Sequence, residues 1–166
     1  ESSDIEVVLI CTNKRDAFIV KRAKKLNIPV YLFTKYELNN FVDLHKKLQS
    51  IGVDIVILAG FLLKLPDIMV DSYPNLIINI HPSLLPKYGG KGMYGNNIHK
   101  AVIENKETES GISIHFVNQN YDEGKIILQE KCNVSNNETV ETLIQKIHKL
   151  EHNYFPAAIQ ETIKKL

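Results

Sequence analysis

Short apolar runs alternate with amphipathic stretches through the first half of the chain. The apolar runs are rich in β-branched residues and predict buried strands, over 6–11, 30–33, 54–58 and 76–80. Between them, apolar residues recur at helical spacing and predict helices, over 16–26, 39–51 and 66–70. Strands that alternate with helices in this way are typical of a parallel sheet with right-handed crossovers. We therefore expect an α/β fold.

The pattern changes after residue 81. Residues 87–95 hold four glycines in nine positions, which predicts a mobile loop or lid. A helix is predicted over 97–105, and two strands, 111–117 and 125–134, are joined by a short turn-rich segment, which favours an antiparallel pair. Residues 139–166 predict a long C-terminal helix, broken or kinked at Pro156. Since no linker is visible, we expect one domain over residues 1–166.

Composition and charge exclude several classes of function. The 166 residues are enough for one domain with a sizeable core. A net charge of +1 with scattered Lys and Arg offers no basic surface for nucleic acid. The apolar runs are too short to span a membrane, and no signal peptide opens the chain, so a cytoplasmic location is expected. Cys11 and Cys132 lack the spacing of a metal or redox motif and are read as buried apolar residues.

The best candidate for chemistry is the stretch 76–86, which reads Leu-Ile-Ile-Asn-Ile-His-Pro-Ser-Leu-Leu-Pro. Strand side chains alternate, so Asn79 and His81 share one face at the end of a strand, where parallel sheets bind ligands. Asp122 lies in the predicted turn and is by itself a turn former, but it can approach His81 if that turn covers the same edge. Together the three suit acyl transfer to a substrate amine. His81 would take or shuttle the proton, Asn79 would donate to the oxyanion, and Asp122 would hold the imidazolium or a relay water.

Two other kinds of site are weaker. Ser83 lacks the strained Gly-x-Ser-x-Gly setting of a hydrolase nucleophile and is read as shaping its loop. His148, Glu151 and His152 match the His-x-x-Glu-His spacing of zinc peptidases, but only Glu161 follows as a possible third ligand, in the same helical segment, so no metal is expected. The remaining histidines have no nameable partner and are read as structural or surface residues: His45, His99 and His115.

Four blocks of sequence carry a resemblance to a known family. They are Leu-Ala-Gly-Phe at 58–61, Asn-Ile-His-Pro-Ser-Leu-Leu-Pro-Lys-Tyr at 79–88, Gly-Ile-Ser-Ile-His-Phe-Val at 111–117 with the later Asp122, and Glu-His before Tyr-Phe-Pro at 151–156. From about residue 6 to its end, the chain resembles the phosphoribosylglycinamide formyltransferase family of folate-dependent enzymes. The resemblance implies a Rossmann-like, mostly parallel sheet flanked by helices, with an antiparallel strand pair and a long C-terminal helix.

The resemblance also implies an activity and a set of site residues. The activity is transfer of a formyl group from 10-formyltetrahydrofolate, as co-substrate, to the amine of glycinamide ribonucleotide in purine biosynthesis. The catalytic residues would be Asn79, His81 and Asp122, and Glu151 would contact the sugar of the nucleotide. The folate would lie against the backbone of four consecutive residues and against the loop before Asp122: Leu62, Leu63, Lys64, Leu65, Asn120 and Tyr121. A monomer or homodimer, with no nucleic acid or membrane partner, is expected.

Two departures from the family pattern shape the alternatives. The loop 87–95 is longer and richer in glycine than the family's usual form. The family also opens with a strand and a glycine-rich phosphate-binding loop, a first βα unit of roughly twenty residues that does not precede Glu1 here. We therefore expect the chain to be a fragment of a fuller enzyme. The alternatives left open are a folate enzyme that formylates a sugar amine or methionyl-tRNA, a formyl-folate hydrolase, and a non-catalytic folate-binding relic.

Overall fold

The computed structural model of the protein describes residues 5–166, and this part of the chain forms six strands and six helices. The strands are β1 (Ile10–Thr12), β2 (Val30–Leu32), β3 (Val56–Leu58), β4 (Ile77–His81), β5 (Glu109–Phe116) and β6 (Ile126–Asn133). The helices are α1 (Phe18–Lys25), α2 (Lys35–Asn40), α3 (Val42–Ser50), α4 (Asp67–Ser72), α5 (Asn96–Glu104) and α6 (Val140–Ile163). Strands and helices alternate as far as β4, and β5 and β6 follow as consecutive strands, as the hydrophobic pattern predicts.

The chain divides into two compact units. The first takes the chain up to Asp54 together with Leu65–Ser72. Its strands β1 and β2 are parallel, with Ile10 opposite Val30. Apolar side chains from the amphipathic helices and the end of β2 form its buried interior: Ala23, Phe33, Leu38, Phe41, Leu44 and Leu48.

The second unit, Ile55–Lys64 with Tyr73–Leu166, is built on a four-stranded sheet in the order β3-β4-β5-β6. β3 and β4 are parallel, whereas β5 runs antiparallel to both β4 and β6. Helices α5 and α6 contribute to one core cluster with β4 and β5: Ile78, Ile80, Val102, Ile112, Ile114, Leu143, Ile147 and Ala158. Because strand side chains alternate, burial of Ile78 and Ile80 leaves Asn79 and His81 on the opposite face of β4.

The predicted fold class is confirmed: parallel strands flanked by helices, an antiparallel pair and a long C-terminal helix. The predicted single helix over 39–51 is wrong, because two helices, α2 and α3, cover that region. A capping box between Thr34 and Glu37 starts α2 early, with the Glu37 amide donating to Thr34 Oγ1 over 3.2 Å. Phe41 then turns the chain through a left-handed conformation (φ 55°) and is almost fully buried, so it interrupts the predicted helix.

Two further expectations differ from the structure. Helix α6 continues through Pro156, although a proline removes one backbone hydrogen bond and usually bends a helix. Buried residues lie on both sides of the proline, Leu143 and Ile147 before it and Ala158 after it, and their packing holds the two halves as one helix. The strands also form two separately hydrogen-bonded sheets, and β1 covers Ile10–Thr12, so it overlaps the predicted strand 6–11 only at its last two residues.

Candidate active site

Asn79 and His115 form a cross-strand pair at the centre of the candidate site. They are directly opposite in the antiparallel β4–β5 ladder, and Asn79 Nδ2 lies 3.1 Å from His115 Nε2. His115 Nδ1 lies 2.8 Å from the Phe116 carbonyl, which can only accept, so Nδ1 carries the proton and Nε2 accepts from the Asn79 amide. The pair therefore fixes which way the Asn79 amide points.

His115 is held neutral by its surroundings. Its side chain is 2% exposed. Burial lowers the pKa of His115, and this effect outweighs the opposing influence of the Phe116 carbonyl and the Asp122 carboxylate. A neutral ring with its proton on Nδ1 is the form that the hydrogen bond from Asn79 requires.

His81 closes the strand two residues beyond Asn79, on the same face. Its Nε2 lies 2.8 Å from the carbonyl oxygen of Tyr88, so this nitrogen donates and carries a proton. Its Nδ1 faces Asp122, with 3.5 Å between Nδ1 and Oδ1. The side chains of His81 and Asp122 are 6% and 14% exposed, so the pair is shielded from most of the solvent. Both ring nitrogens thus face acceptors, an arrangement that can stabilise an imidazolium.

Asp122 reaches the site from the turn between β5 and β6. The residue has a left-handed backbone (φ 56°), which Asp tolerates better than most residues. Its Oδ2 accepts a hydrogen bond from the Gly90 amide over 2.8 Å, and its Oδ1 lies 3.8 Å from His115 Nε2 as well as near His81. Gly124 allows the turn to lie close to β5, since a Cβ there would meet the Phe116 carbonyl oxygen at 1.7 Å. A close backbone approach therefore brings the carboxylate to the histidines.

The loop that follows His81 is shaped by buried hydroxyl groups. Ser113, opposite His81 in the ladder, donates to the Ser83 carbonyl over 2.6 Å and accepts from the Leu85 amide over 2.9 Å. Gln129 Nε2 donates both to Ser113 Oγ and to the Leu85 carbonyl. Ser83 Oγ itself donates to the Lys87 carbonyl over 2.7 Å, which confirms the predicted loop-shaping role of Ser83.

Helix α6 carries the three residues with zinc-peptidase spacing. Glu151 is partly buried, and burial raises the pKa of its carboxyl group against the opposing effect of His148 and His152. In residues 5–166, no group of three or more His, Cys, Asp or Glu side chains is arranged to hold a metal ion.

Across the same residues, the structure contains no helix long and apolar enough to cross a lipid bilayer.

Comparison with known proteins identifies the family. The sequence profile of the family described as formyl transferase matches residues 1–159. The chain belongs to this family.

Individual members of the formyl transferase family are similar over nearly the whole chain. The phosphoribosylglycinamide formyltransferase of Arabidopsis thaliana chloroplasts is 41% identical over 96% of the chain, and that of Vigna unguiculata chloroplasts is 38% identical over 93%. The chain spans 58% and 51% of these two proteins, or about half the length of the curated relatives it matches. A crystal structure of phosphoribosylglycinamide formyltransferase from Bacillus halodurans superimposes with a TM-score of 0.88 at 31% identity, over 98% of this chain and 83% of that one.

The structure brings some of the predicted residues of this formyl transferase domain together. Asn79, His81 and Asp122 form one cluster. Of the residues predicted to contact folate, Leu62 and Tyr121 are 52% and 41% exposed, whereas Leu65 is buried. The other members of that set follow β3 or precede Asp122 in the β5–β6 turn: Leu63, Lys64 and Asn120.

His115 is a member of the cluster that the sequence pattern did not reveal. Of the reading as structural or surface, only the structural part fits, because His115 is buried and hydrogen-bonded to Asn79, a partner that the sequence did not indicate. The available signal was its alternation with apolar neighbours in β5, but only the β4–β5 register places it opposite Asn79. The contacts of the Tyr88 carbonyl and the Gly90 amide with the cluster were not predicted either, because nearly every residue has these main-chain groups and the sequence does not indicate which of them reach the site.

Proposed function

We propose that the chain transfers a formyl group from 10-formyltetrahydrofolate to the amine of glycinamide ribonucleotide, with Asn79, His81 and Asp122 as catalytic residues. The observation that carries the proposal is the cluster itself. An amide, an imidazole and a carboxylate meet at the carboxyl end of β4, in a chain of the formyl transferase family. The names of the similar proteins support this choice of substrates.

Asn79 is suited to stabilise the oxyanion that forms when the amine attacks the formyl carbon. One N–H of its amide is held by His115 Nε2 over 3.1 Å, and the other makes no hydrogen bond with a side chain or backbone group of residues 5–166. Because His115 fixes the amide in advance, no reorientation is needed as negative charge develops on the formyl oxygen. Preorganised donors of this kind are commonly the largest single contribution to acyl transfer catalysis.

His81 is suited to move the proton. With Nε2–H donated to the Tyr88 carbonyl, the neutral ring has its lone pair on Nδ1. The attacking amine forms the new C–N bond and gives its proton to Nδ1, and the tetrahedral intermediate collapses as that proton passes to N10 of the folate and the C–N10 bond breaks. Asp122, 3.5 Å from Nδ1, stabilises the imidazolium between the two transfers.

The binding residues are proposed from the family resemblance. Folate is proposed to lie against the backbone of 62–65 and against Asn120 and Tyr121, and Glu151 is proposed to bind the sugar hydroxyls of the nucleotide. The Asn120 side chain donates to Glu123 over 2.9 Å and its amide donates to Asn118 over 3.0 Å, which gives this loop a defined shape. The cytoplasmic location, the monomeric or dimeric state and the single domain stay predictions from the sequence.

The test is a formyl transfer assay followed by folate absorbance. The purified protein is mixed with 10-formyltetrahydrofolate and glycinamide ribonucleotide, and compared with the His81→Ala variant. His45→Ala, in the first compact unit, is the matched control. We expect transfer by the parent and by the control, and a loss of roughly a hundredfold or more in kcat for His81→Ala.

Other outcomes would replace the proposal. Transfer to a sugar amine or to methionyl-tRNA, without transfer to glycinamide ribonucleotide, would assign a different substrate to the same cluster. Release of formate without any amine acceptor would identify a hydrolase. Folate binding with neither formyl transfer nor formate release would favour a non-catalytic protein.

A further inference from the structure

A three-residue segment of the glycine-rich loop contacts both partners of the His81–Asp122 pair. The Tyr88 carbonyl accepts from His81 Nε2 over 2.8 Å, and the Gly90 amide donates to Asp122 Oδ2 over 2.8 Å. Between them, Gly89 packs so tightly that a Cβ there would lie 2.5 Å from Leu85 Cδ2. The position of this segment therefore sets the position of the two groups that handle the proton.

The backbone of Tyr88 is in a conformation that needs support. Its φ is 57°, in the left-handed region, where a residue with a Cβ is seldom found unless its surroundings hold it. The far end of the side chain provides the support, because the Tyr88 hydroxyl donates to Glu107 Oε1 over 3.0 Å and accepts from Asn105 Nδ2 over 2.9 Å. The ring between these two ends is partly buried and packs against the core cluster of the second unit.

We propose that Tyr88, anchored by Glu107 and Asn105, is a positioning residue that holds His81 with its proton on Nε2, so that Nδ1, beside Asp122, is the nitrogen left to take a proton. This anchor, Tyr88 with Glu107 and Asn105, lies outside the group of residues that touch substrate in the proposed function. The inference rests on that function, since a defined tautomer of His81 matters only if His81 moves a proton. Without the anchor, the Tyr88 backbone is free to leave the left-handed region, and its carbonyl no longer selects one tautomer.

The ionisation states suit the anchor. Hydrogen bonds from Lys87 and then from Tyr88 lower the pKa of Glu107, so it is a charged acceptor at neutral pH. Burial raises the pKa of Tyr88, so its hydroxyl keeps the proton that it donates. A charged acceptor makes a stronger hydrogen bond than a neutral one. The Lys87–Glu107 pair itself is largely exposed on the lysine side, so it contributes little by itself.

The experiment uses four variants. Tyr88→Phe, Glu107→Ala and the double variant that combines these two changes disrupt the anchor. Glu107→Gln is the conservative variant with which they are compared. Phe removes only the hydroxyl, Ala removes its acceptor, and Gln keeps an acceptor oxygen for the same hydroxyl. The control is Glu109→Ala, which removes a neighbouring carboxylate that pairs with Lys131 over 2.9 Å and makes no bond to Tyr88. Thermal melting is recorded for each, so that loss of fold is separated from loss of position.

Two readouts test position. We expect kcat to fall roughly tenfold in Tyr88→Phe and Glu107→Ala, with the KM of both substrates nearly unchanged, and no further in the double variant. Glu107→Gln should recover most of the kcat, and Glu109→Ala should match the parent. The 15N shifts of the His81 ring, read by long-range proton–nitrogen correlation, should show a proton on Nε2 in the parent and a mixture of tautomers in Tyr88→Phe and Glu107→Ala.

The two proposals fail in different ways. If the parent transfers no formyl group, the proposed function fails, and the nitrogen shifts alone decide whether Tyr88 positions His81. If Tyr88→Phe and Glu107→Ala keep the parent's tautomer, the positioning role is overturned even where their melting temperatures fall. It is equally overturned if their kcat losses simply add in the double variant.

Discussion

Replacement of Ser113 by alanine should destabilise the protein through the loop that follows His81. The Ser113 hydroxyl is fully buried and makes three hydrogen bonds, to the Ser83 carbonyl, the Leu85 amide and Gln129 Nε2. Alanine fills the same space without the oxygen. The Leu85 amide and the Ser83 carbonyl then lose this partner in a region closed to water, while Gln129 keeps its bond to the Leu85 carbonyl.

The size of the effect follows from the two groups left unpaired. A buried polar group without a partner costs about 1–3 kcal/mol, and a carbonyl less than an amide. We therefore expect the free energy of unfolding to fall by roughly 2–4 kcal/mol. With a urea m-value of about 2 kcal/mol per molar, the midpoint should fall by roughly 1–2 M.

Ser110 is the matched control, because it lies on the same strand and is also buried. Its hydroxyl has no hydrogen-bond partner in the described part of the chain, so Ser110→Ala should be neutral or slightly stabilising. Urea unfolding of both variants, followed by far-UV circular dichroism, measures the difference. Equal midpoints for the two variants would refute the reasoning, since it predicts that the hydrogen bonds and not the burial decide the outcome.

Three further predictions concern pH, the turn and the nucleotide. Burial lowers the pKa of both His115 and His99, so the unfolded chain binds protons near pH 6.5 that the native state does not, and stability should fall as pH drops from about 7 to 5. Urea midpoints measured at several pH values test this expectation. His115→Gln should make the midpoint depend less on pH, and an unchanged pH dependence in this variant would contradict the reasoning. Gly124→Ala should cost more than about 2 kcal/mol, because its Cβ would meet the Phe116 carbonyl oxygen at 1.7 Å, and kcat should fall with it as the turn moves. Chemical unfolding measured beside the formyl transfer assay checks both effects. Glu151→Gln should raise the KM for the nucleotide and leave the KM for folate unchanged. Steady-state kinetics with each substrate varied in turn measure the two KM values, and a rise in both would contradict a contact that is specific to the nucleotide.

The alternation of side chains in a strand was enough to predict that Asn79 and His81 share a face. That inference needs only the period of two and the stop at Pro82, both of which are local. The approach of Asp122 needed one more assumption, that the β5–β6 turn lies at the same edge of the sheet, and the structure places its carboxylate 3.5 Å from His81 Nδ1. His115 required the register of two strands that are far apart in the sequence, which no local pattern contains.

Helix boundaries are also hard to predict from local sequence, because packing with the rest of the fold helps to decide them. The apolar spacing over 39–51 predicts one helix, but the chain breaks at Phe41, which is buried and has a left-handed backbone. At Pro156 the local preference predicts a break, but the helix continues, because Ile147 before the proline and Ala158 after it both pack in one core cluster. In both places a tertiary contact outweighs a local preference of about 1–3 kcal/mol.

The partners that orient the site are mainly main-chain groups, and this is why the sequence could name the side chains proposed to react but not the groups that hold them. His81 is oriented by the Tyr88 carbonyl, Asp122 by the Gly90 amide, and His115 by the Phe116 carbonyl. Every residue type offers these groups, so only the path of the backbone makes them specific. The glycine-rich loop shows the consequence: a Cβ at Gly89 would lie 2.5 Å from Leu85 Cδ2 and 3.3 Å from Asp122 Cβ, so the glycine lets the backbone lie close to the site. A sequence reading that takes these glycines only as a sign of mobility therefore misses that this part of the loop forms a wall of the site.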